Sequence, residues 1–530
     1  GTEAVEAIFL DTSKIGKVDL GPDVFKEMHN LRVLDINDRK KRKFKLKQLW
    51  NGVQHLQNLK HINLSYSKHL IQIPHLSRAP KLETGSTAEN YWTTQGIFTR
   101  KPGSLNLDGC SSLKTLQNIS GNKFPELPKN IVTLDLSGTA IEEVPSSIKN
   151  VSALEVFRLP NCKRLKDLPT SIWITGLPRI SFVNLIKLRC PLLNECEKLA
   201  FVPHSIFCMS SVEELSFSNC PLLELLPTMS KIGLETFVLF LSGLNMMTTL
   251  NMSNCSLLKL PDWLACLSSL KTLELSGNLI DEIPKSVKKL NGSIELHISN
   301  CGNLPSLPEL PLSLGYLDVS GCTSLETVWN PETKLVQCLW DDYHVTYYKE
   351  FPFCDCSKLD QNALKNITTE SQIRILRTAI VSVLEPIDVS VLFDQNPFAS
   401  ICCPGNEIPK WFNYQSGKSS MTIKLTPDWH ENSFIGFALS TVVAFEDSYF
   451  EGEYIDHVFM WYNYEDYHKY LGAVEVSFEF CLIEYDNVGN VLNSCNDKLR
   501  KCGVRLLHLG DAEEFGIDTN PPYPFEELDA

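Results

Sequence analysis

The chain reads as an α/β leucine-rich-repeat solenoid of horseshoe type, followed by a mainly-β sandwich of jelly-roll or immunoglobulin-like type with a short helical lead-in. Three observations predict this. A leucine–cysteine motif recurs at a long period, the charge balance changes near Trp340, and short alternating apolar runs follow that change.

The motif is L-x-x-L-x-L-x-x-C-x-x-L-x-x-L-P. It stands almost complete as Leu154, Phe157, Leu159, Cys162, Leu165, Leu168 and Pro169, and again as Val212, Leu215, Phe217, Cys220, Leu223, Leu226 and Pro227. A third copy runs Leu314, Leu317, Val319, Cys322, Leu325, Val328. Each unit opens on a short strand whose alternate leucines point inward and whose intervening residues point out. One unit cannot bury its apolar face alone, so neighbours stack. Further copies run through Leu31-Leu34-Ile36, Leu59-Ile62-Leu64, Ile131-Leu134-Leu136, Leu250-Met252, Leu273-Leu275 and Leu296-Ile298. About ten to thirteen units of roughly 20–29 residues are expected, with residues 231–245 hiding a degenerate one. The solenoid is placed at 31–335, behind a linker or cap at 1–30.

Cys110, Cys162, Cys196, Cys220, Cys255, Cys301 and Cys322 occupy the position after the strand, one per unit. A small buried thiol packs well there. Zinc ligands come in close pairs, and a ladder of equivalent thiols is no pairing scheme for disulfides. Structural, reduced thiols in an intracellular protein are therefore expected. No secretory signal opens the chain, and no apolar run reaches the length of a membrane span. The sequons at Asn118, Asn150, Asn251 and Asn291 are read as unused.

From Asp341 to Ala530 there are 31 Asp+Glu against 13 Lys+Arg, a net charge of −18 that leaves +4 for the first 340 residues. The asymmetry places a second domain at 340–530 and argues against nucleic acid as its partner. The basic run Arg39–Lys43 reads as a solvated loop before a nuclear address or phosphate contact. Residues 357–385 predict a helix with Leu359, Ala363, Ile367, Ile373, Leu376 and Ile380 on one face, ended by Pro386. Strands are expected at Met421–Leu425, Phe434–Val443, His457–Tyr462 and Val474–Ile483.

Four stretches resemble the plant intracellular immune receptors of the TIR–nucleotide-binding–leucine-rich-repeat class. They are Gly1–Ile8 with Phe25–Arg32; Leu49–Val53 with Leu59–Ser67; Gly138–Ile148; and Cys403–Phe412 with Lys501–Val504–Arg505. The last pair resembles the opening and closing of the family's post-repeat jelly-roll domain, the C-JID. The resemblance implies a protein-sensing function in which repeats and C-JID together grip a pathogen effector. It also implies intramolecular nucleotide-binding and TIR domains upstream, and a receptor oligomer. Two departures stand out: the chain runs from Asp38 to Leu46 where relatives carry about two more repeats, and residues 84–103 interrupt a unit with a leucine-free insert.

Candidate contacts on the outward strand positions are Glu155, Arg158, Glu213, Glu214, Lys271, Glu274, Tyr316 and Asp318. The acidic, aromatic stretch 445–470 supplies Tyr449, Phe450, Tyr454, Tyr464 and Tyr467, expected in loops that flank a core strand at Val458–Trp461. No P-loop, H-E-x-x-H or G-x-S-x-G is present, and His430, His457 and His468 lack a metal-ligand spacing. No catalytic residue, cofactor, metal or membrane partner is expected. The competing readings are a chain credited with the family's TIR NAD hydrolysis without the domain that performs it, and an extracellular repeat ectodomain.

Overall fold

The computed structural model describes residues 3–11, 24–37, 46–50, 54–72, 104–114, 131–144, 151–168, 187–202, 211–223, 246–260, 267–290, 294–311, 314–331, 348–384, 398–427, 434–446, 454–463, 473–485, 491–494 and 496–515, a hairpin at 89–93 and 96–100, and a few isolated positions. Arg39–Lys43, the degenerate unit expected at 231–245, His430, His468 and three of the four sequons lie outside them. The chain divides into two compact units, the first ending at Glu274 and the second taking residues 258–265 and 275–530.

In the first unit, parallel strands β1 (Ala7–Asp11), β2 (Val33–Asn37) and β3 (His61–Asn63) begin a ladder, so strand pairing starts inside the stretch expected as a cap. Within the insert, β4 (Glu89–Thr93) and β5 (Gly96–Arg100) pair as an antiparallel hairpin. The ladder resumes at β6 (Ser104–Asn106), which pairs with β3, and continues through β7 (Thr133–Asp135), β8 (Val156–Arg158), β9 (Cys190–Leu192), β10 (Glu214–Ser216), β11 (Thr249–Asn251) and β12 (Thr272–Glu274).

Three-residue strands stand because of what lies beneath them. The motif leucines are essentially inaccessible, among them Leu105, Leu134, Leu154, Leu159, Leu215, Leu250 and Leu273. Full burial of each such side chain stabilises by about 1.5–3 kcal/mol. After each strand the chain reverses through one left-handed residue just ahead of the rung. Gly109, Gly138, Asn161, Asn219, Asn254, Gly277, Asn300 and Gly321 all have φ between 53° and 73°. Glycine and asparagine tolerate that region best, which explains their recurrence there.

The rung thiols are hydrogen-bond donors. Cys110 Sγ reaches Leu64 O at 3.2 Å, Cys162 Sγ reaches Leu136 O at 3.2 Å, Cys220 Sγ reaches Leu193 O at 3.2 Å and Cys255 Sγ reaches Phe217 O at 3.1 Å. The thiol fills a small buried site and gives a main-chain carbonyl of the preceding unit a hydrogen bond.

In the second unit, β13 (Ile294–His297), β14 (Leu314–Asp318) and β15 (Tyr348–Pro352) continue the same pattern. Cys301, Cys322 and Cys356 are their rungs, donating to Leu275 O, Ile298 O and Val319 O. The expected solenoid end at 335 and domain start at 340 thus fall before the last rung, Cys356. The strand that carries it lacks the leucine spacing and was not legible as a repeat.

Beyond β15 come helix α1 (Gln361–Leu384) and β16 (Phe398–Pro404), which pairs parallel to β15 on one side and antiparallel to β20 (Tyr454–Asn463) on the other. Strands β17 (Tyr414–Ser416), β19 (Phe434–Glu446) and β24 (Leu499–His508) complete this sheet; a short helix α2 (Asp511–Glu514) follows. Strand β18 (Ser420–Lys424) pairs with β21 (Glu475–Glu479), and β22 (Ile483–Tyr485) with β23 (Val491–Ser494).

The β18–β21 ladder covers one face of the main sheet through a core of Ile423, Trp429, Phe437, Phe480, Cys502 and Val504. Helix α1 covers the other. Its buried face differs from the expected one: Ile373 and Leu359 are half-buried, whereas Ser371, Arg374 and Ile375 are buried. Polar residues stand there because they have partners. Arg374 donates to Glu370 and to Leu314 O at 2.9 Å and lies 3.9 Å from the centre of the Phe351 ring, while Ser382 Oγ meets Tyr462 OH at 2.8 Å.

Candidate protein-recognition face

Three rows of outward residues cross the first unit. The row just ahead of the strands is joined amide to carbonyl: Glu155 N to Val132 O, Arg189 N to Glu155 O, Glu213 N to Arg189 O, Thr248 N to Glu213 O and Lys271 N to Thr248 O, each at 2.8–2.9 Å. The fold therefore brings Glu155, Glu213 and Lys271 into one line and inserts Arg189 and Thr248 between them. Arg189 Nη1 lies 3.6 Å from Glu213 Oε1. Both groups are solvated, so the pair adds at most about 1 kcal/mol of stability.

Glu214 stands exposed in the second row, next to Thr249 and Thr272. Arg158 and Glu274 lie in the third, with Leu192, Ser216 and Asn251 between them. Arg189 escaped the sequence reading because Pro191 occupies the inner leucine position of β9, where it is buried. The rung Cys196, three residues beyond Leu193, was the signal that a strand had to precede it.

Third-row Asn and Asp residues also hold the turns. Asn63, Asn106, Asp135 and Asn251 accept the amide two residues on, at 2.9–3.0 Å. This is an Asx turn. It engages the side chain of Asn251, one of the sequon asparagines. Asp318 does the same for Ser320 N at 3.0 Å, so one carboxylate oxygen of this candidate already serves the fold.

In the second unit the Tyr316 ring lies against His297, with centroids 4.7 Å apart, and Glu295 Oε2 lies 4.0 Å from His297 Nε2. Residues in register share a face of a sheet. Tyr316 pairs with Glu350, Glu350 with Ser400, and Ser400 with Trp461. The face that carries Tyr316 is thus the face of the main sheet that bears Trp461. There a cleft of about 780 Å³ opens between the main sheet and β21, lined by Glu350, Ser400, Phe459, Trp461, Phe478 and Phe480 among others. Trp461 and Phe480 meet edge to face at 5.9 Å.

Of the aromatic candidates, Tyr454 begins β20, opposite Glu446, rather than lying in a loop. Tyr449, Phe450, Tyr464 and Tyr467 fall outside the described residues.

The two C-JID-like motifs hold each other. Arg505 Nη1 donates to Trp411 O at 3.0 Å, its guanidinium lies 4.8 Å from the Trp411 ring centre, and its Nη2 pairs with Asp511 at 2.6 Å. Lys501 reaches Glu407 at 2.6 Å. A Cβ on Gly503 would lie 2.6 Å from Ile408 Cγ2, so only glycine lets the opening motif lie on the closing strand. Both motifs are cohesive rather than exposed chemistry.

Burial pushes the thiols of Cys110, Cys255 and Cys322 up to about 12, which keeps them protonated and poor as nucleophiles or metal ligands. Among the described residues no group of three or more His, Cys, Asp or Glu is placed to hold a metal ion, and no helix is long and apolar enough to cross a membrane.

Comparison with known proteins agrees with this architecture. The C-JID domain family matches residues 403–513, and the Leucine Rich Repeat family matches residues 246–267 and 269–290. Disease resistance-like protein DSC1 of Arabidopsis thaliana is 30% identical, across 84% of this chain and 42% of its own length. Disease resistance protein RPP2B of Arabidopsis thaliana is 28% identical, across 82% of this chain and 37% of its own. The leucine-rich repeat domain of the type III effector XopL matches at 20% identity and a TM-score of 0.31, over 44% of this chain and 75% of that chain. The repeat class rests on the strand ladder and not on that likeness.

The chain is a leucine-rich-repeat protein carrying a C-JID domain. It is similar to plant disease-resistance proteins over most of its length, and it spans about two fifths of the length of the Arabidopsis relatives just named.

Proposed function

We propose that this chain is the ligand-sensing part of a plant intracellular immune receptor, and that it recognises a pathogen effector protein through the outward strand rows and the C-JID cleft. The observation that carries the reading is the register line Tyr316–Glu350–Ser400–Trp461. It puts polar repeat positions and half-buried aromatic rings on one face within a single unit. Rings presented beside polar groups are the composition of protein-binding hot spots. The cleft rim carries Glu350 and Glu479 within a strongly acidic C-terminal part, which favours an effector segment with an apolar side chain flanked by Lys or Arg.

On this reading the chain acts by binding rather than catalysis. Effector contact shifts intramolecular and oligomeric contacts of the full receptor. The rung thiols remain reduced inside the cell.

The test is a binding screen of the chain against a library of secreted pathogen proteins, followed by variants against any effector found. Trp461→Ala and the reversal Glu213→Lys should each weaken binding at least tenfold, while Lys289→Glu, away from the strand rows, leaves it unchanged. An effector that binds all three variants equally would sink the proposal. Incubation with NAD should give no turnover, and measurable cleavage would sink the non-catalytic part.

A further inference from the structure

Most described cysteines of this chain have a carbonyl for a partner, but two have each other. Cys354 Sγ and Cys402 Sγ lie 3.0 Å apart, and both are free thiols. Cys354 sits two residues beyond β15, in the turn that carries the last rung. Cys402 lies in β16, the first strand of the C-JID sheet. Their backbones are already fastened side by side, because Phe353 N donates to Cys402 O at 2.7 Å and Pro352 is in register with Cys402. The sulfurs are thus about 1 Å farther apart than in a disulfide bond of about 2.05 Å.

The two thiols are not equivalent. Cys354 is half-buried, whereas Cys402 is buried. The hydrogen bond between the two thiols, which either sulfur can donate, holds the Cys354 pKa below its ordinary value, despite burial. The same bond, together with burial, pushes Cys402 up. A half-buried thiol of lowered pKa in contact with a buried partner is the arrangement of a peroxide-sensing pair, with one sulfur attacking and the other resolving. The rungs Cys110, Cys255 and Cys322 differ: they are buried, raised, and donate to carbonyls. Rung Cys220 is also lowered, by its bond with Cys196, but both of those thiols are buried and each also donates to a carbonyl.

We propose that Cys354 and Cys402 form a reversible regulatory disulfide, with hydrogen peroxide as the oxidant. The Cys354 thiolate attacks one peroxide oxygen, the O–O bond breaks, and hydroxide leaves and takes up a proton as water. Cys354 becomes a sulfenic acid. The Cys402 sulfur then attacks the Cys354 sulfur, the S–O bond breaks, a second water leaves and the S–S bond forms. Two thiols lose two electrons and two protons in all, and one peroxide becomes two waters. A cellular dithiol reverses the reaction by exchange.

The closed loop encloses α1 and ties the last repeat turn to the first C-JID strand. Oxidation therefore stabilises the segment that joins repeats and C-JID, mainly by restricting the unfolded chain. This device is independent of what the outward face binds. In a reducing cytosol such a pair acts as a transient sensor rather than a permanent staple.

The test uses the full 530-residue chain, reduced, and then treated with increasing hydrogen peroxide before alkylation of the remaining thiols. Mass spectrometry of a non-reducing digest should find a Cys354–Cys402 cross-link at lower peroxide than any other cysteine pair, and dithiothreitol should remove it. The oxidised chain should melt several degrees higher than the reduced one. Cys402→Ser should leave a sulfenic acid at Cys354 that dimedone traps, and Cys354→Ser should abolish both products. Circular dichroism of the reduced variants establishes that each is folded, and the wild-type cross-link assay stands whether or not they are. The proposal is overturned if both thiols of the wild-type chain stay alkylatable after exposed Cys481 is fully oxidised, or if either cysteine cross-links equally well elsewhere.

Discussion

The amide of Asp355 donates to Nε2 of His457 at 3.2 Å, and this bond closes the amide ladder of the repeats. In earlier units the amide of the left-handed residue goes to a carbonyl of the next repeat: Gly109 to Ser137, Asn161 to Asn194, Asn300 to Ser320 and Gly321 to Cys354. Asp355, with φ of 60°, is the same position in the last unit. No further repeat turns beneath it, because β16 runs on to Pro404. The residue opposite Pro404 on β20 is His457, and its ring accepts instead. Nδ1 faces Ile455 O at 3.2 Å, so the ring is neutral with its proton on Nδ1.

An acid-labile cap follows from this. Burial holds the His457 pKa below its ordinary 6.5. The unfolded imidazole protonates near that value while the folded one does not. The stabilisation is thus complete above pH 6.5 and is lost as pH falls through the lower, folded pKa. Thermal melts across pH 7 to 5 should show a falling midpoint. His457→Gln keeps an acceptor and should flatten that part of the profile. His457→Leu leaves the Asp355 amide unpaired and should cost about 1–3 kcal/mol at neutral pH. A melt of His457→Gln as steep with pH as the wild type would refute the assignment.

The rung thiols predict an order of labelling. Exposed Cys481 should react with iodoacetamide at pH 7.5 well before Cys110, Cys162 and Cys255, which should label only on unfolding. Burial raises the folded pKa of these rungs while the unfolded thiols titrate near 9. Stability is therefore full below about pH 8.5 and declines above it. Residue-resolved labelling followed by mass spectrometry checks the order, and urea midpoints at pH 8 and 10 check the decline.

Gly503 should resist substitution although its backbone is an ordinary strand. A Cβ there meets Ile408 at 2.6 Å and Phe412 at 3.2 Å. Gly503→Val should cost about 1–3 kcal/mol through overpacking and detach the opening motif from β24. Circular dichroism melts and protease cleavage near residues 405–412 provide the measurement. Unchanged stability would show that the two motifs do not pack as described.

Arg374 is the fastening of α1. Its guanidinium is buried, paired with Glu370 at 2.7 Å and bonded to Leu314 O. Arg374→Ala removes one partner of a buried pair and should cost about 3–5 kcal/mol. The double change Arg374→Met with Glu370→Gln removes both charges, keeps the stem over Phe351, and should cost much less. Denaturant melts of the two variants discriminate them, and equal losses would mean that packing, not the stranded Glu370 charge, dominates.

Local repetition made the scaffold legible. Leucines at a fixed spacing report which side of a strand is buried, and Cys, Gly and Asn before and at the rung report a left-handed turn with a small buried donor. Those facts concern neighbours within one unit, so Glu155, Arg158, Glu213 and Lys271 could be named as outward from their spacing alone. Helix α1 was visible from its apolar period, but not its polar buried residues. Ser371 and Arg374 are tolerated inside only because Met460, Phe351 and Leu314, distant in sequence, meet them.

The remaining relationships are decided by pairings across long stretches of chain. Arg189 joins the outward row because the ladder places β9 between β8 and β10, even though Pro191 breaks the leucine pattern. Cys356 becomes a rung because β15 adds to β14 in parallel. His457 becomes a cap, and Cys354 meets Cys402, because β16 and β20 follow where another repeat would have turned. The leucine period is a demand for burial that each unit states for itself. The partner of a given amide, thiol or guanidinium is set by which strand the sheet places next to it.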